Sequence, residues 1–327
     1  MTHSSFFSHF LSFSQSVLQV LPLFCVSFFL FNGFLWQEGK IYAQTGFSSP
    51  VNSGSAETDS LYREMLSSVE AANSISAEVR QQIRLFGQDY TTSGTYNELK
   101  STELRGKRTV RFRLEIQVQP PADVREIISK NSLTVVCDNS NNYIYRNFSV
   151  EGENCLEKIV IKRLIETIEK QVRNDVLTEV GSMFGLGGLA GMLRDMRNRY
   201  DFNVKPMQTQ IQEKNSTMAV WKIRGRIKQK IITALTTDVT GKKQSIPRHM
   251  PTTIDIYIGF NDRFPYRFEY FWTADGTEAT GEPFAYLLFY NLILHDRNIS
   301  ETIFDYRPPG NILPLDVTDQ MINQMLR

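Results

Sequence analysis

The sequence predicts an α+β fold: a strongly curved antiparallel β-sheet, an incomplete barrel, with helices packed on its concave side as a lid. Three observations lead to this prediction. Alternating apolar and polar residues fill two long stretches of the chain, one helical pattern precedes the first stretch, and further helical patterns separate the two. Runs of strands interrupted by runs of helices are typical of α+β proteins, and the alternation indicates strands with one solvated face.

The composition is that of a globular protein with a sizeable core. The chain has 327 residues, of which 41% are hydrophobic and 22% charged, and its formal net charge is +1. We expect residues 59–327 to form a single domain. Because the charges nearly balance, any basic surface is local, and we expect no nucleic acid as a partner.

The first 58 residues differ from the rest of the chain. Residues 17–36 form a nearly uncharged apolar run, and Ala43 offers a cleavage site before Gln44. Residues 1–43 therefore predict an export signal peptide or, if uncut, an N-terminal membrane anchor, since roughly 20 apolar residues span a bilayer. Residues 44–58, rich in small and polar residues, predict a flexible linker. Either interpretation predicts a periplasmic or cell-envelope location.

Helices are predicted where apolar residues recur at steps of three and four. One begins near Asp59 and presents Leu61, Met65 and Val69 to a core. A second covers 156–180, and a third covers 189–200 after a cluster of glycines at 185–191. These last two predict a helical insertion at about 156–200, and a short helix is also predicted over 122–130.

Strands are predicted where the apolar period is two. Those of the first half are 76–85, 110–118, 133–137 and 143–150, and those of the last third are 218–232, 253–260, 266–273 and 302–306. Turns are predicted at 92–94 and 138–142, where small and polar residues cluster.

Two cysteines, Cys137 and Cys155, remain beyond the apolar N-terminal run. An oxidising compartment would allow them to form a disulfide. A hairpin turning near 139–141 would instead pair Cys137 with a residue near 144, which favours two separate thiols. Both alternatives stay open at this point.

Catalytic chemistry has little support in the sequence. Only His249 and His295 lie beyond the N-terminal segment, and neither has a ligand-type neighbour at metal spacing. The chain has no nucleophile elbow, no nucleotide-binding loop and no carboxylate pair that spacing singles out. We therefore expect no catalytic residue, no metal and no cofactor, in a protein that is not an enzyme.

A basic stretch runs through the strand predicted at 218–232. Every even position from Lys222 to Lys230 carries a positive charge. These cations predict either a face that contacts phosphate or a membrane surface, or a solvated outer face whose charges are offset by acidic side chains on neighbouring strands. The second interpretation is favoured.

The opposite faces of the predicted strands are unusually aromatic, and such side chains either fill a thick core or line a pocket for an apolar ligand. The glycine cluster follows a helix, unlike a phosphate loop, and its soft apolar side chains suit a movable flap. An ordinary helix corner is the alternative. The residues predicted to form an apolar cavity and its lid are Phe112, Leu114, Phe184, Leu186, Leu189, Met192, Leu193, Trp221, Ile223, Ile256, Phe268, Tyr270 and Trp272.

The order of several short motifs is also informative. They lie at 79–81, 93–94, 111–115, 136–138, 143–145, 254–258, 264–269 and 304–312. In this order they resemble the periplasmic outer-membrane lipoprotein-carrier superfamily of bacteria, the LolA-like and LolB-like proteins. The resemblance covers about residues 59–320, and 304–312 looks like the closing strand of that family.

The resemblance implies an incomplete antiparallel barrel closed by a helical lid, with acyl chains held between them. It thus implies an exported protein that binds lipid acyl chains or lipidated protein, as a carrier between membranes. In such a protein Arg111, Arg113 and Arg224 would be available for headgroups at the rim, if the sheet edge exposes them. The alternative is a non-catalytic envelope-sensing or protein-interaction module on the same fold with a filled core.

Overall fold

A computed structural model describes most of the chain beyond residue 52. The described residues are 53–85, 88–102, 108–119, 131–138, 143–150, 153–171, 187–213, 216–236, 245–246, 250–277, 281–308, 310 and 312–326. The predicted export signal at 1–43 and the predicted helix at 122–130 lie outside them. None of the helices in the described part is long and apolar enough to cross a membrane.

The elements are numbered here in chain order. The strands within the described residues are β1 (Ser74–Leu85), β2 (Gln88–Thr102), β3 (Arg108–Gln119), β4 (Ser132–Asp138), β5 (Tyr143–Val150), β6 (Glu153–Val160), β7 (Tyr200–Asp201), β8 (Met207–Glu213), β9 (Ser216–Ile227), β10 (Thr253–Gly259), β11 (Pro265–Phe271), β12 (Ala285–Leu294) and β13 (Leu315–Asp316). The α-helices are α1 (Ser53–Ala71), α2 (Ile161–Gln171), α3 (Gly188–Arg199), α4 (Gln229–Thr236) and α5 (Thr318–Leu326).

All of these strands belong to one sheet. Its order is β13-β6-β5-β4-β3-β2-β1-β12-β11-β10-β9-β7, and β8 also pairs with β9. Each neighbouring pair is antiparallel except β13 with β6. Among the described strands the two ends of this order do not pair with each other, so the sheet stays open. The predicted fold class, an incomplete antiparallel barrel with helices, is confirmed.

The strand register gathers the apolar positions on one face, which contacts α1 and α3. We call this the inner face and the opposite one the outer face. One row across the inner face, from β9 to β3, consists of Ile223, Ile256, Phe268, Leu287, Gln81, Thr92 and Val118. A second row, from β1 to β6, consists of Ala77, Tyr96, Leu114, Val135, Arg146 and Glu157. The period-two pattern of the sequence therefore becomes one largely apolar surface.

The turn predicted at 92–94 is wrong, because these residues lie in the middle of β2. Gly94 is paired with Val79 on one side and with Ile116 on the other. A Cβ atom at Gly94 would lie 1.7 Å from the backbone oxygen of Glu115. The glycine thus permits a close approach of β2 and β3, and pairing on both sides outweighs the local preference for a turn.

The helix predicted at 156–180 begins later than expected. Residues 153–160 form β6, in which Leu156 is paired with Asn147 and Ile159 with Ile144. Their spacing of three resembles a helical repeat, but the edge of β5 offers backbone partners that a local pattern does not reveal. Helix α2 starts only at Ile161, so the predicted insertion at 156–200 contains a strand at its start.

Two predicted strands in the last third need correction. The strand predicted at 218–232 ends at Ile227, and Ile231 lies in α4. The strand predicted at 302–306 is a 3-10 helix over Glu301–Phe304, and the Oγ of Ser300 accepts a hydrogen bond from the Thr302 backbone N–H. A serine cap favours a helical start over a strand.

Four further strands (β7, β8, β12 and β13), helix α5 and the start of α1 were not predicted. Strands β8 and β12 are absent from the sequence prediction, although β12 joins the two halves of the sheet by pairing with β1 and β11. Helix α1 begins at Ser53, so its first turns occupy the end of the linker predicted at 44–58.

Candidate functional site

The residues predicted to line a cavity lie mainly on the inner face and on α3. The following are buried: Phe112, Leu114, Leu189, Met192, Leu193, Ile223, Ile256, Phe268 and Tyr270. Trp221 and Trp272 are half-buried, and the Trp221 ring meets Phe260 edge-on at 4.9 Å. Phe184 and Leu186 lie outside the described residues. Except for Trp272, the described members of the set belong to one hydrophobic cluster or pack against it.

Helix α3 supplies the cover over part of this cluster. Its residues Leu189, Met192, Leu193 and Met196 recur at helical spacing and are all buried in the core. Two of them are methionines, whose flexible thioether side chains adapt to irregular apolar surfaces. The helix thus presents a soft apolar side to the sheet.

The start of α3 is held by a buried carboxylate. The Leu189 backbone N–H donates to Oε2 of Glu98 at 2.8 Å, and the Tyr96 hydroxyl donates to the same oxygen at 2.5 Å. Glu98 is fully buried, and Gly188 has a φ of +58°, which favours glycine. A carboxylate at a helix N-terminus satisfies a free N–H group and complements the helix dipole.

The end of α1 is held by a lysine from the same strand. The Nζ of Lys100 donates to the backbone oxygens of Val69 and Ala72, the second at 2.9 Å, and lies 3.4 Å from Oε1 of Glu98. A cation is favourable at a helix C-terminus. We call Glu98 and Lys100 together the helix clamp, because the pair fastens one end of each of two helices to β2.

Helices α1 and α3 are also joined to each other. The Tyr62 hydroxyl donates to the Leu193 carbonyl oxygen at 2.5 Å, and Arg197 pairs with Asp59 at 2.6 Å. Burial raises the pKa of Tyr62 above its usual range, so the phenol stays protonated and remains a donor. The two helices therefore form one unit that rests on the inner face.

A buried ion pair interrupts the apolar inner face near β6. Arg146 pairs with Glu157 across β5 and β6, and its guanidinium lies 6.0 Å from the Phe148 ring centroid. Burial lowers the pKa of Arg146. This pair was not predicted from the sequence. The available signal was a charged residue at an apolar position, since Ile144, Arg146 and Phe148 alternate along β5.

The basic stretch at 222–230 is largely offset on the outer face, as the favoured interpretation predicts. The fully buried Asp255 accepts from Nε and Nη2 of Arg224 at 2.6 and 2.7 Å and lies 2.7 Å from Nζ of Lys222. Hydrogen bonding to Asp255 raises the pKa of Arg224. These charges form a cross-strand network, not a row of cations open to phosphate.

The three arginines implied for headgroups are on the outer face, away from the inner apolar layer. Arg111 pairs with Glu301 at 2.9 Å and stacks over Phe304, and Arg113 donates to the Ile303 carbonyl oxygen at 2.8 Å. Because Arg111 and Arg113 hold the 3-10 helix against β3, and Arg224 is held by Asp255, the implied headgroup role is not supported by their placement.

The two cysteines are separate thiols, so the structure favours the second alternative. Cys137 is buried opposite Ile144, as the hairpin prediction requires, whereas Cys155 is exposed and paired with Phe148. Burial raises the pKa of the Cys137 thiol well above its usual range. A disulfide between them is absent.

No metal site is evident in the part of the chain that the structure describes. Among these residues no group of three or more His, Cys, Asp or Glu side chains is placed to hold an ion. His295 is exposed and its Nδ1 accepts from the Asn73 backbone N–H at 3.4 Å, while His249 lies outside the described residues.

Comparisons with known proteins find similarity only among solved structures. No family model matches the chain, and no curated protein matches it. A putative outer-membrane lipoprotein-sorting protein domain from Vibrio parahaemolyticus is 10% identical, with 77% of this chain and 97% of that chain covered and a TM-score of 0.31. The MucA/MucB complex of Pseudomonas aeruginosa gives 10% identity, coverage of 77% and 67%, and a TM-score of 0.34.

A third matching structure is a LolA superfamily protein from Nitrosomonas europaea, with 11% identity, coverage of 76% and 97%, and a TM-score of 0.24. The superfamily that the sequence resembles thus occurs among these structures. At such identities and TM-scores, the likeness carries no argument about the ligand, partner or location of this chain.

Proposed function

We propose that this protein binds acyl chains, of a lipid or of a lipidated protein, between the inner face and the α1–α3 unit. The observation that carries the proposal is how this unit is attached. An apolar side of α3 rests on an apolar sheet, and the helix clamp of Glu98 and Lys100 fastens the unit to β2. Other polar attachments lie beyond strand ends: Ser68 donates to the Asp262 carbonyl oxygen, Arg263 pairs with Glu64, and Lys228 donates to the Arg197 carbonyl oxygen. Such a cover can separate from the sheet as one piece.

An acyl chain would replace the apolar contacts that are lost when the α1–α3 unit separates from the inner face. The inner face offers Phe112, Leu114 and Val135 beside the buried side chains of α3. Burying a methylene group contributes about 0.8 kcal/mol, so a chain of about 14 methylenes gains on the order of 10 kcal/mol before the cost of association. Shape and desolvation are therefore sufficient for affinity, without a catalytic group.

The location and the carrier role belong to the same proposal. The uncharged apolar run at 17–36 supports export, and the motif order supports a member of the lipoprotein-carrier superfamily. We infer that the protein resides in the periplasm or cell envelope and moves acylated cargo between membranes, with contact at a membrane surface during loading.

The proposal is tested with the full chain expressed in a bacterial host. Native mass spectrometry and organic extraction should reveal bound acyl species, and a fluorescent fatty-acyl probe should bind and be displaced by them. Met192→Gln places an amide on the inner side of α3 and should weaken probe binding at least tenfold. Asn198→Gln, on the exposed side of the same helix, is the matched control. A wild-type protein that carries no acyl species and binds no probe refutes the proposal.

A second candidate is a protein-interaction or envelope-sensing module with a filled core. Its support is the aromatic packing around Phe289 of β12. The Phe289 ring meets Phe264 and Phe268 edge-on at 5.9 and 6.3 Å, and all three are fully buried. This candidate is favoured if the purified protein binds no acyl probe but recovers a specific protein partner from an envelope extract.

A further inference from the structure

Two neutral polar side chains are buried side by side on the inner face. Gln81 is 1% exposed and Thr92 is 2% exposed. Neither amide atom of Gln81 nor Oγ1 of Thr92 has a hydrogen-bond partner among the described residues. Gln81 on β1 and Thr92 on β2 are register partners, so three unsatisfied polar atoms lie together.

This neutral pair of Gln81 and Thr92 lies within the apolar layer, not at its margin. In the row that crosses the sheet, Leu287 of β12 follows Gln81 on one side, and Val118 of β3 follows Thr92 on the other. Both of these neighbours are buried. The pair therefore lies on the same side of the sheet as the residues to which we assign acyl binding.

The charged side chains buried on the inner face have partners, in contrast to this neutral pair. The Glu98 carboxylate accepts from Tyr96 and Leu189, and Arg146 pairs with Glu157. Folded proteins leave few buried polar groups without a partner, because each one costs stability. Two adjacent exceptions on a face proposed to bind a ligand point to a polar group that the ligand brings.

The chemistry of the pair indicates which group this is. A glutamine amide offers two N–H donors and one acceptor oxygen, and a threonine hydroxyl can donate or accept. The rows beside the pair contribute Val79, Gly94, Ile83 and Tyr90 from β1 and β2, none of which carries a charge. A phosphate or carboxylate placed here would be desolvated without an opposite charge in these adjacent rows, at high cost.

We propose that Gln81 and Thr92 bind the uncharged carbonyl linkage, an ester or an amide, that joins an acyl chain to the rest of its ligand. This inference rests on the proposed acyl-binding function. The carbonyl oxygen would accept from Nε2 of Gln81 and the hydroxyl of Thr92. In an amide linkage, the N–H would in addition donate to Oε1 of Gln81.

The experiment compares three pyrene-labelled probes of equal chain length, a methyl ester, an N-methyl amide and an alkane, by fluorescence titration of the full chain. The variants are Gln81→Leu, Gln81→Met and Thr92→Val. Gln82→Leu and Thr91→Val change the same residue types at the neighbouring positions, which face the outer side, and serve as matched controls. The Tm of each ligand-free variant is measured in parallel.

The wild type should bind the ester or the amide at least tenfold more tightly than the alkane. Gln81→Leu or Gln81→Met should abolish this preference and leave alkane affinity within twofold, with an unchanged or higher Tm in the ligand-free protein. The controls should retain the preference. A stronger preference for the ester indicates a glyceride-type source, and one for the amide indicates an N-acylated protein.

Two results overturn the inference, and they are distinguishable. In the first result, the wild type binds all three probes equally, or the Gln81 variants keep the carbonyl preference while their Tm falls. Acyl binding then stands, and Gln81 and Thr92 contribute only to folding stability, by binding a structural water. If the wild type binds none of the three probes, the proposed acyl-binding function itself is wrong.

Discussion

Glu98 and Lys100 lie two residues apart on β2, and each caps a different helix. Glu98 accepts from the first turn of α3, Lys100 donates to the last carbonyl oxygens of α1, and their charged atoms are 3.4 Å apart. Both side chains are almost fully buried. Each therefore depends on the other for charge compensation and on a helix end for its remaining hydrogen bonds.

The Glu98→Gln substitution tests the acidic member of this pair. The amide keeps the shape of the side chain but leaves the Lys100 ammonium without its counter-charge, so we expect a loss of roughly 3–5 kcal/mol in unfolding free energy. Urea denaturation measures it. Glu115→Gln, which affects a more exposed pair with Arg113, should cost less than about 1 kcal/mol. Equal losses of unfolding free energy in the two variants would show that Glu98 stabilises the fold no more than Glu115 does.

Coupling between the two members of the helix clamp provides a second prediction. Lys100→Met should also destabilise the protein, because Glu98 is left charged and the end of α1 loses its cap. The double variant Glu98→Gln/Lys100→Met should be more stable than the sum of the two single losses predicts, by about 1–3 kcal/mol, since neither charge then remains unpaired. If the losses of unfolding free energy measured by urea denaturation are strictly additive, Glu98 and Lys100 do not act as a coupled pair.

A third prediction concerns the close contact of β2 and β3. Gly94→Ala should reduce the unfolding free energy by about 3 kcal/mol or more, because the new Cβ would lie 1.7 Å from a backbone oxygen. Gly191→Ala in α3 is the control. Its Cβ would meet nothing within 4 Å, so improved helix propensity should raise stability by up to about 1 kcal/mol. Denaturation curves in which the two variants behave alike would disprove the close-approach argument.

A fourth prediction follows from the buried tyrosines. Burial raises the pKa values of Tyr62, Tyr96, Tyr200 and Tyr270 in the folded protein. Their stabilising contribution is complete below the unfolded pKa of about 10 and is lost as the pH rises above it. Stability should fall by about 1.4 kcal/mol per pH unit for each such tyrosine.

Alkaline denaturation monitored by tyrosinate absorbance measures this effect. Replacement of Tyr62 by phenylalanine should reduce the slope of unfolding free energy against pH by the contribution of one tyrosine. The same substitution removes the hydrogen bond to the Leu193 carbonyl oxygen. A transition with the same slope in wild type and variant would mean that Tyr62 ionises in the folded protein.

The thiols provide a fifth prediction. Cys155 is exposed and Cys137 is buried, so a maleimide should label Cys155 in the native protein and Cys137 only after denaturation. Peptide mass spectrometry under non-reducing conditions reports both outcomes. Recovery of a peptide that links Cys137 to Cys155 would contradict the separate thiols.

The sequence predicted the elements whose pattern is local. The hairpin that pairs Cys137 with Ile144 follows from its turn residues, and the strand at 253–260 follows from its alternation. The long strand β2 was missed because Gly94 resembles a turn residue, although it is needed where two strands approach closely. Strand β6 was missed because Leu156 and Ile159 have the spacing of a helix.

The polar anchors of the site could not be predicted, because their partners are distant along the chain. Glu98 and the Leu189 amide are 91 residues apart in sequence, and no local rule brings them together. The apolar members of the site were easier to predict, since Phe112, Leu114 and Ile256 alternate within their own strands. Alternation indicates which side of a strand is buried, whereas strand neighbours and helix positions decide what is buried with it.

The pairing of β1 with β12 determines the order in which the molecule can assemble. Ile83 is paired with Ala285, roughly 200 residues later, and contacts so distant in sequence form slowly. The meander β1–β6 can pair as soon as it emerges from the ribosome or translocon, but β1 keeps an open edge until nearly the whole chain has followed. During that interval the nascent chain presents an apolar surface and an unpaired strand, both of which favour aggregation.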